Sequence, residues 1–322
     1  MKRRPVKWRT AAAFVAISIL WGSAWIVEQD LLRSMPPLRA GAFRFALAAI
    51  FAGIVAVAVH MRSHSASRTK SAAVFPVSLL LGATAIAFPY ALTGWAAGRV
   101  SPGAVAVLFA LMPLASVLLS REIASTAIPV LVIGTGGVAF LVAQGVSFST
   151  AQWRGATLIA CAVVLGAFSL NYAKRCLTKI TLLISVAIQF TFAALLLGVL
   201  GGVTERSPSI TWNANTIVIL LLLGVAVSGV TLPLLYWLLT EVEPWQAAAL
   251  QWSATLVAVA ESAWFLRARP SIEMWVGAAL IIGATLWLLG ATGAHEAEAV
   301  TLQITNHPCE APSASESESG SR

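Results

Sequence analysis

Between Thr10 and Gly290 the chain alternates long apolar runs with short breaks, and the breaks carry nearly all the charge. Each run approaches the roughly 20 residues needed to cross a hydrocarbon core of ~30 Å. Ten runs can be delimited. The first five are Ala11–Val27, Leu38–Met61, Ala73–Ala97, Pro102–Ser120 and Thr126–Val146. The second five are Gly155–Tyr172, Ile180–Val203, Thr216–Leu239, Trp245–Leu266 and Pro270–Gly290. Strands of a membrane barrel alternate apolar and polar residues over about ten positions, and runs such as Ile217–Val227 do not. Only helices then satisfy every backbone group in lipid. The pattern predicts an all-α integral membrane protein with ten transmembrane helices.

Composition agrees: 11% of residues are charged, against about a quarter in a soluble domain. Placing the N-terminus inside puts twelve lysines and arginines in the inner breaks and seven arginines in the outer ones, with every lysine inside. That bias predicts cytoplasmic termini and a cell-membrane (inner-membrane) location. The weakest point is the Arg267–Arg269 turn, which falls outside in this topology. The net charge of +8 reads as topology signal and attraction to anionic headgroups. A nucleic-acid partner is not expected, because the only dense basic cluster, Lys2 to Arg9, abuts a membrane helix. Trp21 and Trp25 near the end of the first run, and Glu28 and Gln29 after it, stand where a small-residue cleavage site would be needed, so it reads as an uncleaved helix.

The chain looks doubled. Trp95 to Pro102 has the same Trp-to-Pro spacing as Trp237 to Pro244. Leu165-Gly166 answers Trp21-Gly22, and Gly134, Gly136 and Gly137 in the fifth run face Gly277 and Gly283 in the tenth. Five helices per half is an odd number, so the halves insert with opposite orientation. Inverted repeats of this kind supply inward-open and outward-open shapes from one fold. The expected domains are a basic N-terminus at 1–10, five-helix repeats at 11–147 and 152–290, and a disordered tail at 291–322 whose end is rich in Ser and Glu.

These residues resemble the drug/metabolite transporter superfamily in its ten-helix form with two EamA-type domains. The resemblance is carried by Leu20-Trp21-Gly22-Ser23, Pro36-Pro37-Leu38-Arg39, Phe43-Arg44-Phe45, Ala106–Pro113 and the glycine-rich fifth and tenth helices. It spans Ala11 to about Gly290. It departs from the family where a ninth-helix proline matching Pro113 is replaced by Ala254-Thr255, and where the glycine–glutamate after the fourth and ninth helices is reduced. The resemblance implies transport of amino acids, other small metabolites or drugs.

No catalytic constellation stands out. His60, His64, His295 and His307 lie at a helix edge, in a break or in the tail, and Asp30 is the only aspartate. Neither an enzyme, a metal site nor a cofactor is expected, and the partners expected are a small-molecule solute and the bilayer. Ionisable residues within spans are costly and usually functional. Here they are Glu28, Arg44 and Glu261, all in the outer third. Arg44 is expected to pair with Glu261 or Glu28 as a gate or polar contact. A structural ion pair is the competing reading, and for Glu28 interfacial snorkelling is the simpler one. Glu261 is also the one candidate for carrying a proton.

Trp21, Ser23, Tyr90, Gln251 and Trp252 lie too deep for an interfacial aromatic belt and are the cavity candidates. Pro89, Pro113 and Pro233 fall inside helices, where each removes a hydrogen bond and permits a kink, so they are the hinge candidates. The chain as a whole reads as a secondary transporter that exports a small organic metabolite, an amino acid or related compound, by alternating access. The alternative is a receptor or scaffold built on the same bundle without transport.

Overall fold

The computed structural model describes residues 8–62, 71–97, 99–120, 127–143, 152–177, 182–205, 210–266 and 271–305. Among them are Trp8–Ser34 (α1), Pro37–Arg62 (α2) and a helix α3 that runs Ser71–Leu81, Gly82–Ala87 and Phe88–Ala96. Next come α4 (Pro102–Ala110 and Met112–Leu119) and α5 (Ile128–Leu141). The second half repeats the series with α6 (Trp153–Cys176), α7 (Leu182–Thr204) and α8 (Ala214–Leu221, Leu222–Val230 and Thr231–Glu241). It closes with α9 (Pro244–Ala248 and Leu250–Leu266) and α10 (Ile272–Thr305). Among the described residues, eight helices are long and apolar enough to cross a membrane. α5, at 14 residues, is shorter.

The prolines explain where these helices depart from α geometry. Proline has no N–H, and its ring clashes with the carbonyl four residues back. Upstream of Pro89 the helix widens into a π segment, Gly82–Ala87, and Phe88 donates its N–H to the Ala83 carbonyl, five residues earlier. Upstream of Pro233 the segment Leu222–Val230 widens in the same way. Before Pro113 the fourth helix breaks at Leu111, and the Ala110 carbonyl accepts from the Trp252 indole N–H at 3.0 Å and the Thr135 hydroxyl at 3.0 Å. Lipid offers no such partners, so protein groups from α5 and α9 supply them. Without a proline at Ala254-Thr255, α9 runs unbroken from Leu250 to Leu266.

The packing follows the doubling of the sequence. α2 lies along α7 and α5 along α10, each pairing equivalent helices of the two repeats. α1 packs on α8 and α9, and α6 packs on α3 and α4. The two π segments approach the opposite repeat in the same manner. A Cβ on Gly82 would lie 2.8 Å from the Gln189 carbonyl of α7, and one on Gly224 would lie 2.9 Å from the Arg44 carbonyl of α2. Two inverted five-helix repeats account for both contacts at once.

Three expectations change. α1 continues past Val27 to Ser34, which places Glu28 and Asp30 on the helix. α5 ends at Leu141, short of Val146, and 144–150 lies outside the described residues. The tail expected to be irregular from 291 is helical to Thr305, because Ala294 to Gln303 is rich in strong helix formers such as Ala and Glu. Residues 306–322 lie outside the described set.

Among the described glycines the closest approach to another helix's backbone is at α5 and α10, where a Cβ on Gly277 would sit 2.5 Å from the Leu141 amide nitrogen, while one on Gly283 meets nothing within 4 Å. Gly277→Ala is therefore expected to destabilise the bundle by about 1–3 kcal/mol through overpacking. Gly283→Ala should be neutral or slightly stabilising through helix propensity. Thermal unfolding of both variants in detergent checks the pair, and equal midpoints would show that the two helices are not held at this separation.

Candidate functional site

Arg44 enters the membrane region on α2, and its guanidinium is engaged through two of its nitrogens. One terminal nitrogen donates to Glu28 of α1 at 3.1 Å, and Nε donates to the Ser228 hydroxyl in the π segment of α8 at 2.8 Å. The guanidinium carbon lies 5.4 Å from the centre of the Phe45 ring. The other Glu28 oxygen accepts from the Tyr90 hydroxyl of α3 at 2.6 Å. The Arg44 and Glu28 side chains are only 11% and 21% exposed. A charge at this depth costs several kcal/mol unless paired and hydrogen-bonded, and this arrangement supplies both.

Tyr90 is held in place from two sides. Its ring fills the space left by Gly41, where a Cβ would sit 2.4 Å from the ring edge. It also meets Phe45 edge-on, at 5.3 Å between centroids. The Tyr90–Glu28 bond matters for what it joins: α3 packs along α6 and α7, whereas α1 packs along α8 and α9. Trp25 of α1 makes a second such bridge, edge-on to Phe109 of α4 at 6.3 Å. Two side-chain contacts thus bridge the two groups of helices toward the end of the bundle opposite the N-terminus.

Of the two partners expected for Arg44, the structure provides Glu28. Glu261 lies apart and accepts from the Ser23 hydroxyl at 2.6 Å, joining α9 to α1. The interfacial reading of Glu28 does not fit, because α1 runs six residues beyond it and turns its carboxylate toward Arg44 and Tyr90. Among the cavity candidates, Tyr90 and Ser23 are part of these polar contacts. Trp21 is half-buried and donates its N–H to Thr231 of α8 at 3.0 Å. Gln251 is half-buried on α9. Trp252 is fully buried against Gly134 and tied to Ala110, so it belongs to the packing between α4, α5 and α9, not to an open wall. The hinge candidates sit where the helices lose α geometry: Pro89 and Pro233 after π segments, and Pro113 after the break at Leu111.

The end nearer the N-terminus carries a neutral counterpart. Tyr236 of α8 donates to the Gln189 amide of α7 at 2.6 Å, Gln189 donates to Ser185 at 2.9 Å, and Ser185 shares a 2.7 Å hydrogen bond with Ser78 of α3. All four residues are buried. Sequence reasoning missed Gln189, Ser185, Ser78 and Ser228. The readable signal was Ser185 and Gln189, four residues apart on one face of an otherwise apolar helix. It also missed Glu205, which accepts from the Leu38 and Arg39 amides at 2.7 and 3.1 Å and so caps the start of α2.

Among the described residues no three His, Cys, Asp or Glu side chains gather as metal ligands. What the arrangement can do is hold paired charges below the membrane surface. Repeated five-helix halves, interrupted helices and an internal charge cluster together define a multi-pass helical membrane bundle. The chain belongs to the EamA-like transporter family, which matches it twice, over residues 8–148 and 153–290. It is thus a membrane transporter of the drug/metabolite superfamily. Protein PagO of Salmonella typhimurium is 27% identical over 234 residues, covering 71% of this chain and 75% of its own. The uncharacterized transporter YvbV of Bacillus subtilis is 24% identical over 287 residues, covering 88% and 92%. A protein of known crystal structure superposes with a TM-score of 0.72 at 18% identity, covering 91% of this chain and 98% of its own, a likeness of fold.

Glu28→Gln leaves Arg44 buried without its counter-charge and is expected to destabilise the protein by about 3–5 kcal/mol. Adding Arg44→Gln should recover part of that loss, since the orphaned charge is then gone. Unfolding midpoints of both single variants and the double measure the coupling, and strict additivity would mean that the two residues do not interact.

Proposed function

We propose that the protein exports a small organic metabolite, an amino acid or related compound, by alternating access between the two repeats. The observation that carries this reading is the Tyr90–Glu28–Arg44–Ser228 cluster, which ties α1, α2, α3 and the π segment of α8 together at one end only. Closing one end while the other differs in chemistry is what a carrier requires, since a solute must meet one barrier at a time. The π segments beside Pro89 and Pro233 lie at equivalent places in the two repeats and are suited to changing shape, because π turns and prolines relax the hydrogen-bond ladder. In this reading the N-terminal end faces the cytoplasm of the cell's inner membrane, as the lysine distribution favours. The charged cluster is then the outer closure.

Radiolabelled counterflow in proteoliposomes, run against a pool of amino acids and small metabolites, tests the carrier. Saturable exchange of at least one solute is expected. In that assay Tyr90→Phe, which removes only the hydroxyl bridge to Glu28, should alter the exchange rate several-fold while leaving the fold intact. Binding of a solute without any flux would point to a receptor and overturn the carrier.

A further inference from the structure

A cavity of about 210 Å³ opens at the N-terminal end of the bundle, between the end of α6, the start of α7 and the end of α8. Its wall includes Lys174, Tyr236 and Thr240, with Leu177, Leu182 and Leu239 supplying apolar surface. It is smaller than the roughly 300–1,000 Å³ of pockets for drug-sized ligands, and its size suits a solute of a few heavy atoms.

Lys174 gives the cavity its chemistry. Its amine donates to the Val242 carbonyl at 2.9 Å and stands 3.6 Å from the Glu243 carboxylate, a loose pair in which the lysine side chain is 30% exposed and the glutamate 57%. An ammonium has three donors, so this one retains capacity toward the cavity. Arg44 at the other end is committed to Glu28 at 3.1 Å and to Ser228, and is only 11% exposed. Of these two cations within the bundle, the lysine is the one that a solute can reach and recruit. Behind it, the buried hydroxyl of Tyr236 begins the hydrogen-bonded line through Gln189 and Ser185 to Ser78, a polar continuation into the interior.

We infer that Lys174 and this cavity form a vestibule subsite that takes the carboxylate of a small organic solute at the N-terminal end, with Glu243 as the group the carboxylate displaces. Its role in transport rests on the carrier reading above; binding itself does not require flux. The apolar leucines set the size of the solute's side chain, and the Glu243 carboxylate, held in the capping box at the start of α9, is placed to meet the ammonium of a zwitterion.

The test uses the full-length protein in detergent and reads ligand-dependent thermal stabilisation by glycine, L-alanine, L-serine, L-valine and lactate, each against its carboxamide. At least one acid should stabilise the protein while its amide does not. Lys174→Gln should weaken that acid's apparent affinity at least tenfold, and Lys174→Arg should keep most of it. Glu243→Gln should tighten it a few-fold, a gain that misfolding does not produce. Equal effects of acid and amide, no effect of any acid, or affinity indifferent to Lys174 would overturn the subsite. Stabilisation by phosphatidylglycerol alone, lost in Lys174→Gln, would assign the amine to a lipid headgroup and overturn it too. Counterflow on the same preparations separates the two claims. Flux without dependence on Lys174 sinks the subsite and keeps the carrier, whereas Lys174-dependent binding without flux does the reverse.

Discussion

A guanidinium below the membrane surface dictates the architecture around it. A buried guanidinium is costly unless paired and hydrogen-bonded, so counter-charge and acceptors must be brought to Arg44. Glu28 arrives because α1 stays helical beyond the point where its apolar run ends. Ser228 arrives because the π segment of α8 lies against α2 at Gly224, where a side chain would strike the Arg44 carbonyl. Tyr90 arrives because Gly41 leaves room for its ring. Four helices are thereby positioned by one charge.

The second organising demand comes from the backbone. Each internal proline removes a donor in a medium that cannot replace it, and the chain answers in two ways. Around Pro89 and Pro233 the helix widens into π segments, and before Pro89 the Ala83 carbonyl finds the Phe88 amide five residues on. At Pro113 it breaks, and Trp252 and Thr135 cross from neighbouring helices to the Ala110 carbonyl. The first answer keeps a helix deformable. The second pins it, which is why Trp252 is packed as part of the framework.

The helix count, the doubling and the intramembrane charges were legible because each rests on composition or spacing, and bilayer thickness enforces both. Helix ends were less so: α1 overran its apolar stretch because Glu28 and Asp30 are tolerated once Arg44 and Asn215 supply partners. The choice between Glu28 and Glu261 for Arg44 was not legible, since depth alone makes the two equivalent and only interhelical packing separates them. Trp252 looked like a cavity wall because an aromatic at mid-depth gives the same signal whether its ring faces a solute or a glycine. The Gln189–Ser185–Ser78 line went unread because the one pair of polar residues on a shared face of α7, Ser185 and Gln189, does not say which helix it faces.

Glu205 has a mechanical consequence. By gripping the first amides of α2 with both carboxylate oxygens, while Arg39 reaches back to the Glu205 carbonyl at 3.4 Å, it joins the end of α7 to the beginning of α2. The two longest-packed helices of the bundle are fastened at that end as well as along their length. They behave as a spine that neither repeat can carry away alone. Under the alternating-access proposal, the change of shape is a swing of the remaining helices about that spine, with the π segments of α3 and α8 as the joints.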